Sequence, residues 1–306
     1  MQEINWNNNK LSKLCLGTVQ FGMDYGIANE IGQVNQKEVN EIIDFVLSNG
    51  INCFDTAKGY GNSETVIGKY FKNLNDDNIN IISKVKSELF SSSENLSKEI
   101  SKSLSKINTN RLFGLLLHDS DVIYNWDESY SKNVKELKKK ELIKYFGVSI
   151  YTDEEFELAI DNKNIELIQI PFNLFDQRAI SKKWLEKAKN NNKLIFIRSV
   201  YLQGLILMDF NKIPENLNDV KPYIKILDDT CKKLNITKNE LALGFVNSIA
   251  SDSIILFGCD KLEQAKENLE NFNKSIVLEN DIIDDLKNTF SSIEEKIYNP
   301  TKWKVK

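Results

Sequence analysis

The sequence is poor in histidine and cysteine, which are common ligands of transition metals. His118 is the one histidine in 306 residues, which excludes a histidine-rich metal cluster. The cysteines stand far apart and form no CxxC pair: Cys15, Cys53, Cys231 and Cys259. This spacing predicts reduced thiols, with neither a disulfide framework nor a zinc site. We therefore expect no metal centre.

The chain also lacks a cluster of basic residues and a long apolar segment. Its formal net charge is -4, whereas binding to nucleic-acid phosphates needs clustered lysine and arginine. No apolar run approaches the roughly twenty residues that span a bilayer, and the first ten residues carry no basic-then-apolar secretion signal. We expect a cytoplasmic protein that binds neither nucleic acid nor membranes. The sequence leaves its oligomeric state open.

Short apolar runs alternate with amphipathic stretches that are long enough for helices, which is typical of parallel βαβ units. The predicted strands span residues 14–18, 51–54, 79–83, 112–117, 145–148, 167–170, 194–199 and 253–256. The helices predicted after them span residues 36–48, 63–71, 93–107, 129–140, 153–160, 179–190, 220–250 and 262–272. This repeat predicts an α/β fold, the (β/α)8 TIM barrel.

Both ends of the chain extend this barrel. Residues 4–11 are predicted to form a short N-terminal hairpin, and the amphipathic stretch 282–297 is predicted to form an extra C-terminal helix. The chain contains only four prolines and no Pro/Gly/Ser-rich linker, so residues 1–306 are predicted to form a single domain. A two-domain, doubly wound fold is the alternative. It is disfavoured because no GxGxxG follows the first strand.

Ionisable side chains stand where three consecutive predicted strands end. Asp55 follows the second strand, with Tyr60 in the loop beyond it, and Lys84 and His118 follow the third and fourth strands. The carboxyl ends of the strands of a parallel barrel share one face, and catalytic residues come from several of them. We therefore expect these four side chains to form one site.

The four residue types suit the protonation of a carbonyl group. A tyrosine, whose pKa is about 10, acts as a general acid near neutral pH if a neighbouring cation lowers that pKa. Lys84 is the candidate cation, and Asp55 can keep it charged. His118 can donate a hydrogen bond to a substrate carbonyl oxygen. A separate group must then deliver hydride.

Each residue also has a purely structural interpretation. Asp55 can cap a turn, Tyr60 can pack in a loop, Lys84 can be a surface charge and His118 can begin a helix. The placement of all four at consecutive strand ends favours the catalytic interpretation.

Asp55 and Tyr60 lie in the segment Phe54-Asp55-Thr56-Ala57-x-x-Tyr60-Gly61, which continues as Ser63-Glu64-x-x-Ile67-Gly68. Further motifs follow in order: Ser83-Lys84, Leu115-Leu116-Leu117-His118, Gly147-Val148-Ser149, Gln169-Ile170-Pro171-Phe172-Asn173 and Gly258-x5-Gln264-x-x-Glu267-Asn268. The ordered set, within residues 14–268, resembles the aldo-keto reductases of a bacterial branch.

That resemblance implies a (β/α)8 barrel that binds a nicotinamide cofactor and reduces an aldehyde or ketone, including sugar-type carbonyls, to an alcohol. The hydride would come from nicotinamide and the proton from Tyr60, with Asp55, Lys84 and His118 completing a catalytic tetrad. The substrate would be a small molecule. The substrate pocket is expected to include Tyr25, Tyr60, His118, Tyr151 and Phe172.

The resemblance also implies where the cofactor lies. Ser149 and Gln169 would hydrogen-bond the nicotinamide carboxamide, and residues 258–268 would hold the adenosine half. The full set of implied cofactor-binding residues is Gly17, Thr18, Asp55, Ser149, Gln169, Arg198, Ser199, Gly258, Asp260, Gln264, Glu267 and Asn268.

The sequence departs from the family pattern at three positions that bear on the cofactor. Ile150 stands where the family usually has asparagine, and Arg198 replaces a common aromatic residue whose stacking a guanidinium can reproduce. Asp260 stands near the expected 2′-phosphate, where a carboxylate would repel a dianion, although Lys261 can compensate. The family favours NADP(H) and the local charge favours NAD(H) or dual use. We expect NADP(H) to be slightly favoured.

Two other functions remain as alternatives. Lys84 at a strand end of a barrel is also compatible with a Schiff-base aldolase. A regulatory module that binds the nicotinamide nucleotide with little turnover is the second alternative, and the complete tetrad disfavours it.

Overall fold

The computed structural model describes residues 1–72, 74, 78–91, 93–274 and 278–303. An antiparallel hairpin of β1 (Glu3–Trp6) and β2 (Asn9–Ser12) precedes the main sheet. The main sheet is a closed parallel barrel in which neighbouring strands follow chain order and the last strand pairs with the first. Its strands are β3 (Leu14–Gly17), β4 (Cys53–Asp55), β5 (Asn80–Val85), β6 (Leu112–Leu117), β7 (Ile143–Ser149), β8 (Leu167–Pro171), β9 (Leu194–Arg198) and β10 (Ile254–Phe257).

Helices surround the barrel and complete the predicted fold. They are α1 (Val19–Gly22), α2 (Gln36–Ser48), α3 (Ser63–Phe71), α4 (Ser93–Ile107), α5 (Glu128–Lys139), α6 (Asp153–Asp161), α7 (Arg178–Ser181), α8 (Trp184–Asn190), α9 (Lys221–Leu234), α10 (Lys238–Ile249), α11 (Leu262–Asn273), α12 (Asn280–Phe290) and α13 (Glu295–Tyr298). The predicted (β/α)8 barrel, N-terminal hairpin and extra C-terminal helical segment are confirmed. In the part of the chain described above, no helix combines the length and apolarity needed to cross a membrane.

Helix α2 illustrates how the local sequence sets these elements. The side chain of Asn35 accepts hydrogen bonds from the backbone amides of Lys37 and Glu38, which satisfies donors that the first turn leaves free. Apolar residues then recur at helical spacing and are buried against the barrel: Val39, Ile42, Ile43 and Val46.

Three of the predicted helical stretches are each divided in two. Stretch 179–190 breaks at Lys183 and stretch 220–250 breaks at Asn235, and both residues have a left-handed backbone (φ 58° and 54°). A left-handed residue cannot continue a right-handed helix. Stretch 282–297 is divided into α12 and α13. Strand β5 also runs through Lys84 to Val85, beyond its predicted end.

The alternation of side chains along the strands aims the ionisable residues into the barrel. Cys53, Ile82 and Leu116 belong to a core cluster to which the other barrel strands also contribute, and this cluster fills the barrel interior. Successive side chains of a strand point to opposite faces. Asp55 follows Cys53 by two residues and Lys84 follows Ile82 by two residues. Both side chains therefore point into the barrel, at its carboxyl end.

Candidate active site

Lys84 joins two of the predicted site residues. Its ammonium donates hydrogen bonds to Asp55 Oδ2 at 2.5 Å, to the Tyr60 hydroxyl at 3.2 Å and to the Thr56 carbonyl at 3.1 Å. Asp55 and Lys84 are 2% and 1% exposed. Since an ammonium has three donors, every N–H of Lys84 is satisfied inside the protein.

His118 completes the group immediately after β6. Its amide donates to the carbonyl of Val85 at 2.8 Å, which fixes the backbone at this point. Its ring lies edge-on to the Tyr60 ring, with 5.5 Å between centroids. The structure thus brings together all four side chains that the sequence placed at strand ends.

The protonation states differ in part from expectation. Burial raises the pKa of Tyr60, and the opposing effect of the Lys84 charge does not reverse this. The expectation of a tyrosine pKa below 10 is therefore wrong, because burial destabilises the phenolate more than the Lys84 charge stabilises it. The phenol keeps its proton at neutral pH.

Lys84 and His118 have opposite charge states. Burial by itself would lower the pKa of Lys84, but Asp55 and Tyr60 outweigh it and the pKa is raised. Burial and then the Lys84 charge lower the pKa of His118 to about 4. At neutral pH the site therefore holds a charged lysine and a neutral imidazole with one N–H to donate.

Gln169 supports Asp55 from across the barrel. Its amide nitrogen donates a hydrogen bond to Asp55 Oδ1 at 2.9 Å, and its side chain is buried. Both oxygens of Asp55 are therefore engaged, one by Gln169 and one by Lys84. The buried carboxylate is held in one orientation by two partners.

A cavity of about 1150 Å³ opens above these residues. Its lining contains every residue that the resemblance assigned to the cofactor, together with Tyr25, Tyr60, His118 and Tyr151. The cavity runs from Tyr60 and His118 past Arg198 to the start of α11. Its far wall is formed by Gln264 and Asn268.

Phe172 is the exception among the predicted pocket residues. It is fully buried, and its ring lies 5.9 Å from that of Phe245 on α10. The assignment to the substrate pocket is therefore wrong, because the residue after β8 turns its side chain into the layer between barrel and helices.

The sequence model of one protein family, the Aldo/keto reductase family, matches residues 13–288 of this chain. This chain belongs to the aldo-keto reductase family. It is similar to the uncharacterized oxidoreductase YqkF of Bacillus subtilis, with 23% identity over 263 residues that cover 79% of this chain and 84% of YqkF. D-arabinose 1-dehydrogenase of Saccharomyces cerevisiae is 23% identical over 257 residues, 76% of each chain.

Among solved structures, the fold is similar to that of aldo-keto reductase AKR11C1 from Bacillus halodurans in its holo form. The TM-score is 0.76 at 18% identity, over 98% of each chain. At this identity the structural likeness shows the fold alone. Family membership and the oxidoreductase relatives make this aldo-keto reductase an NAD(P)-dependent oxidoreductase.

The cavity of this aldo-keto reductase fits a nicotinamide cofactor. Two buried side-chain oxygens in its wall, Gln20 Oε1 and Asp260 Oδ1, have no hydrogen-bond partner among the described residues. Buried polar atoms are ordinarily paired. Polar groups in the cavity wall therefore remain to be satisfied, as the binding of a polar ligand such as a nucleotide requires.

Arg198 takes a position that the sequence did not predict. Its guanidinium stacks on the ring of Tyr151, 4.1 Å from the centroid, and its Nη2 donates to the carbonyl of Ile150 at 3.0 Å. Ile150, which stands where the family usually has asparagine, thus holds Arg198 through its backbone carbonyl. Arg198 and Tyr151 together form one wall of the cavity near Tyr60.

Sequence reasoning missed Tyr201. The hydroxyl of this half-buried side chain lies 2.8 Å from the side chain of Asn239 and 2.5 Å from that of Asn268. The Asn239 amide in turn lies 3.4 Å from Glu267. Tyr201 thereby connects the start of α10 with the middle of α11. Its position three residues after Arg198 was the one available signal, because α10 carries no motif that identifies Asn239.

Proposed function

We propose that this protein reduces an aldehyde or ketone to an alcohol with NAD(P)H, and that Tyr60 is the proton donor. The observation that carries the proposal is the position of the Lys84 ammonium, within hydrogen-bonding distance of both Asp55 and Tyr60 at the cavity wall. The bound nicotinamide cofactor supplies the hydride.

Tyr60 and His118 hold the substrate carbonyl oxygen in this mechanism. The phenol and the neutral imidazole each donate a hydrogen bond to that oxygen. The phenol then transfers its proton to the oxygen as negative charge develops there. The fixed charge of Lys84 stabilises the phenolate that remains, and Asp55 keeps Lys84 in place.

Residues along the cavity hold the cofactor. Ser149 and Gln169 would hydrogen-bond the carboxamide of the nicotinamide, and Gly17, Thr18, Arg198 and Ser199 would bind the nicotinamide side of the cofactor. The remaining assigned residues hold the adenosine half: Gly258, Asp260, Gln264, Glu267 and Asn268.

Charges at the start of α11 bear on the choice of nucleotide. Asp260 lines the cavity there, and Glu38 accepts the hydrogen bond of the Leu262 amide at 2.7 Å. Both carboxylates disfavour the 2′-phosphate of NADP(H), whereas the family favours that nucleotide. We infer that both nucleotides are used, with NADP(H) slightly preferred.

The substrate end of the cavity has a polar character. Tyr25, Tyr60, Tyr151, His118 and Arg198 bring hydroxyl, imidazole and guanidinium groups to it. Such donors suit a substrate with several hydroxyl groups. A sugar-type carbonyl is therefore the proposed substrate class, and the similarity to D-arabinose 1-dehydrogenase supports it.

Oxidation of NADPH and NADH with a panel of aldehydes, ketones and sugars tests this function. We expect turnover by the wild type and a loss of about 10²- to 10⁴-fold in kcat for Tyr60→Phe, which removes the general acid. Equal activity of the two proteins would reject Tyr60 as the donor. Tight cofactor binding by a wild type that reduces no carbonyl would favour the regulatory module.

The aldolase alternative is disfavoured by the surroundings of Lys84. A Schiff base forms from the neutral amine, but the pKa of Lys84 is raised and its side chain is 1% exposed. Borohydride should therefore trap no substrate on Lys84. A covalent adduct at this residue would revive the alternative.

A further inference from the structure

The turn that follows β8 contacts the loops after both neighbouring strands. Asn173 and Asp176 in this turn are fully buried, and Arg178 begins α7 at its end. These three residues lie outside the cavity wall. Fully buried polar side chains are rare unless they are paired, so their partners indicate what they do.

Arg178 contacts the loop after β7. Asp176 accepts hydrogen bonds from Arg178 Nε at 2.8 Å and from Arg178 Nη2 at 2.6 Å. This two-pronged pairing fixes the plane of the guanidinium. The remaining arm, Nη1, donates to the backbone carbonyl of Tyr151. The buried carboxylate thus aims the guanidinium at one peptide group of the neighbouring loop.

Asn173 contacts the loop after β9. Its amide nitrogen donates to the carbonyl of Ser199 at 2.9 Å. Its oxygen accepts from the amides of Phe175 at 2.8 Å and of Asp176 at 2.9 Å. One side chain therefore closes the turn and binds the residue that follows Arg198. Ser199 has a left-handed backbone (φ 63°), so this contact also holds a strained peptide.

Tyr151, in the loop after β7, and Arg198, the last residue of β9, meet in the cavity. Tyr151 and Arg198 stack there at 4.1 Å. The amide of Tyr151 also donates to Glu155 at 2.5 Å. On the outer side, the ring of Tyr298 in α13 covers the guanidinium of Arg178 at 4.9 Å. The backbone on each side of the stacked pair is therefore held by a partly buried hydrogen bond from the turn.

We propose that Asn173, Asp176 and Arg178 are positioning residues that set the location of the Tyr151–Arg198 pair, and through it the affinity for the substrate. The inference rests on the proposed function, because it takes the cavity as the active site. Loss of the Arg178 contact frees the Tyr151 peptide, and the stacked pair then samples several positions. Substrate binding weakens while Tyr60 and Lys84 keep their geometry.

Arg178→Lys tests this with a conservative change that keeps the charge and removes the forked pairing. The matched control is Arg111→Lys, since Arg111 is exposed and precedes β6 at the opposite end of the barrel. We expect KM for the carbonyl substrate to rise about tenfold in Arg178→Lys, with kcat little changed, and no change in the control. If Arg178→Lys does not fold, Asp176→Asn is the second test. It removes the bidentate ion pair with Arg178 and keeps the shape of the side chain at position 176.

A double-mutant cycle and hydrogen exchange separate positioning from general stability. In a Tyr151→Ala background, Arg178→Lys should change KM by less than about twofold, because the pair that it positions is already lost. Exchange of amides 149–153 should be about tenfold faster in Arg178→Lys than in the wild type, while β6 stays protected.

Two results would overturn the proposal: KM effects of Arg178→Lys and Tyr151→Ala that multiply, or exchange of residues 149–153 equal to that of the wild type. Hydrogen exchange needs no turnover. A protein that reduces no carbonyl would therefore contradict the proposed function, while exchange would still decide whether the turn positions the loop.

Discussion

Lys84 and Asp55 form an ion pair of 2.5 Å in which both side chains are almost completely buried. Taking two charges out of water is costly, and the pair persists because each member has further partners. Lys84 also bonds Thr56 and Tyr60, and Asp55 also bonds Gln169. The pair therefore couples the stability of the barrel to the proposed chemistry of Tyr60.

Asp55→Asn should reduce both stability and turnover. Removing one partner of a buried pair leaves an uncompensated charge, so we expect the free energy of unfolding to fall by about 3 kcal/mol. Urea denaturation measures this change, and kcat should fall because Lys84 loses its orientation. Lys189→Met is the control, since it removes an exposed ion pair: the side chain of Lys189 is 72% exposed and that of its partner Asp252 is 59% exposed. Equal denaturation midpoints for Asp55→Asn and the wild type would contradict the prediction.

His118 should make stability depend on pH between 6.5 and 4. Its pKa in the folded protein is about 4, lowered from the usual 6.5, so the unfolded chain binds the proton first as the pH falls. The stabilisation is complete above pH 6.5 and is lost as the pH drops toward 4, an effect of order 2 kcal/mol after allowance for solvent screening. Urea denaturation at pH 7 and pH 4.5 measures it.

The carboxylates also titrate in this range, so His118→Asn is the reference for that experiment. The wild type should lose more stability than the variant over the same change in pH. Because the chain has one histidine, the difference between the two proteins belongs to this side chain. Parallel losses would show that His118 is not buried in its neutral form.

Tyr201→Phe should weaken cofactor binding without altering the proton donor. The hydroxyl holds Asn268 and Asn239, which line the cavity, and a lost hydrogen bond of ~1 kcal/mol corresponds to about a fivefold rise in Kd. Fluorescence titration with NADPH and NADH gives the two constants. Tyr124→Phe changes a 43% exposed tyrosine and serves as the control. An unchanged Kd for Tyr201→Phe would remove Tyr201 from the cofactor site.

Asp260→Asn should shift the preference between nucleotides toward NADPH. The substitution removes a negative charge near the expected 2′-phosphate, and unit charges about 4 Å apart in water interact by ~1 kcal/mol. We expect the ratio of NADH to NADPH dissociation constants to rise about fivefold. Asp252→Asn, at the opposite end of the barrel, controls for net charge. If both variants shift the ratio equally, Asp260 does not contact that part of the nucleotide.

Local patterns were sufficient to predict the barrel and its catalytic face. The alternation of apolar strands and amphipathic helices predicted every barrel strand, because burial requires a fixed period in each element. The positions of Asp55, Lys84 and His118 at successive strand ends predicted their meeting, since parallel strands in a barrel share one carboxyl-terminal face. The helix breaks at Lys183 and Asn235 were not predicted, because a single left-handed residue does not interrupt the periodic spacing of apolar side chains along the sequence.

Packing between distant segments decided the rest. The sequence by itself placed Tyr60 beside a lysine, but only the folded protein showed that burial outweighs the lysine and raises the tyrosine pKa. In the same way, tertiary packing turned Phe172 away from the cavity and brought Tyr201 to Asn239 and Asn268. Desolvation and side-chain direction depend on every neighbour in three dimensions. The spacing of apolar residues and the order of the strands, in contrast, can be read from the sequence.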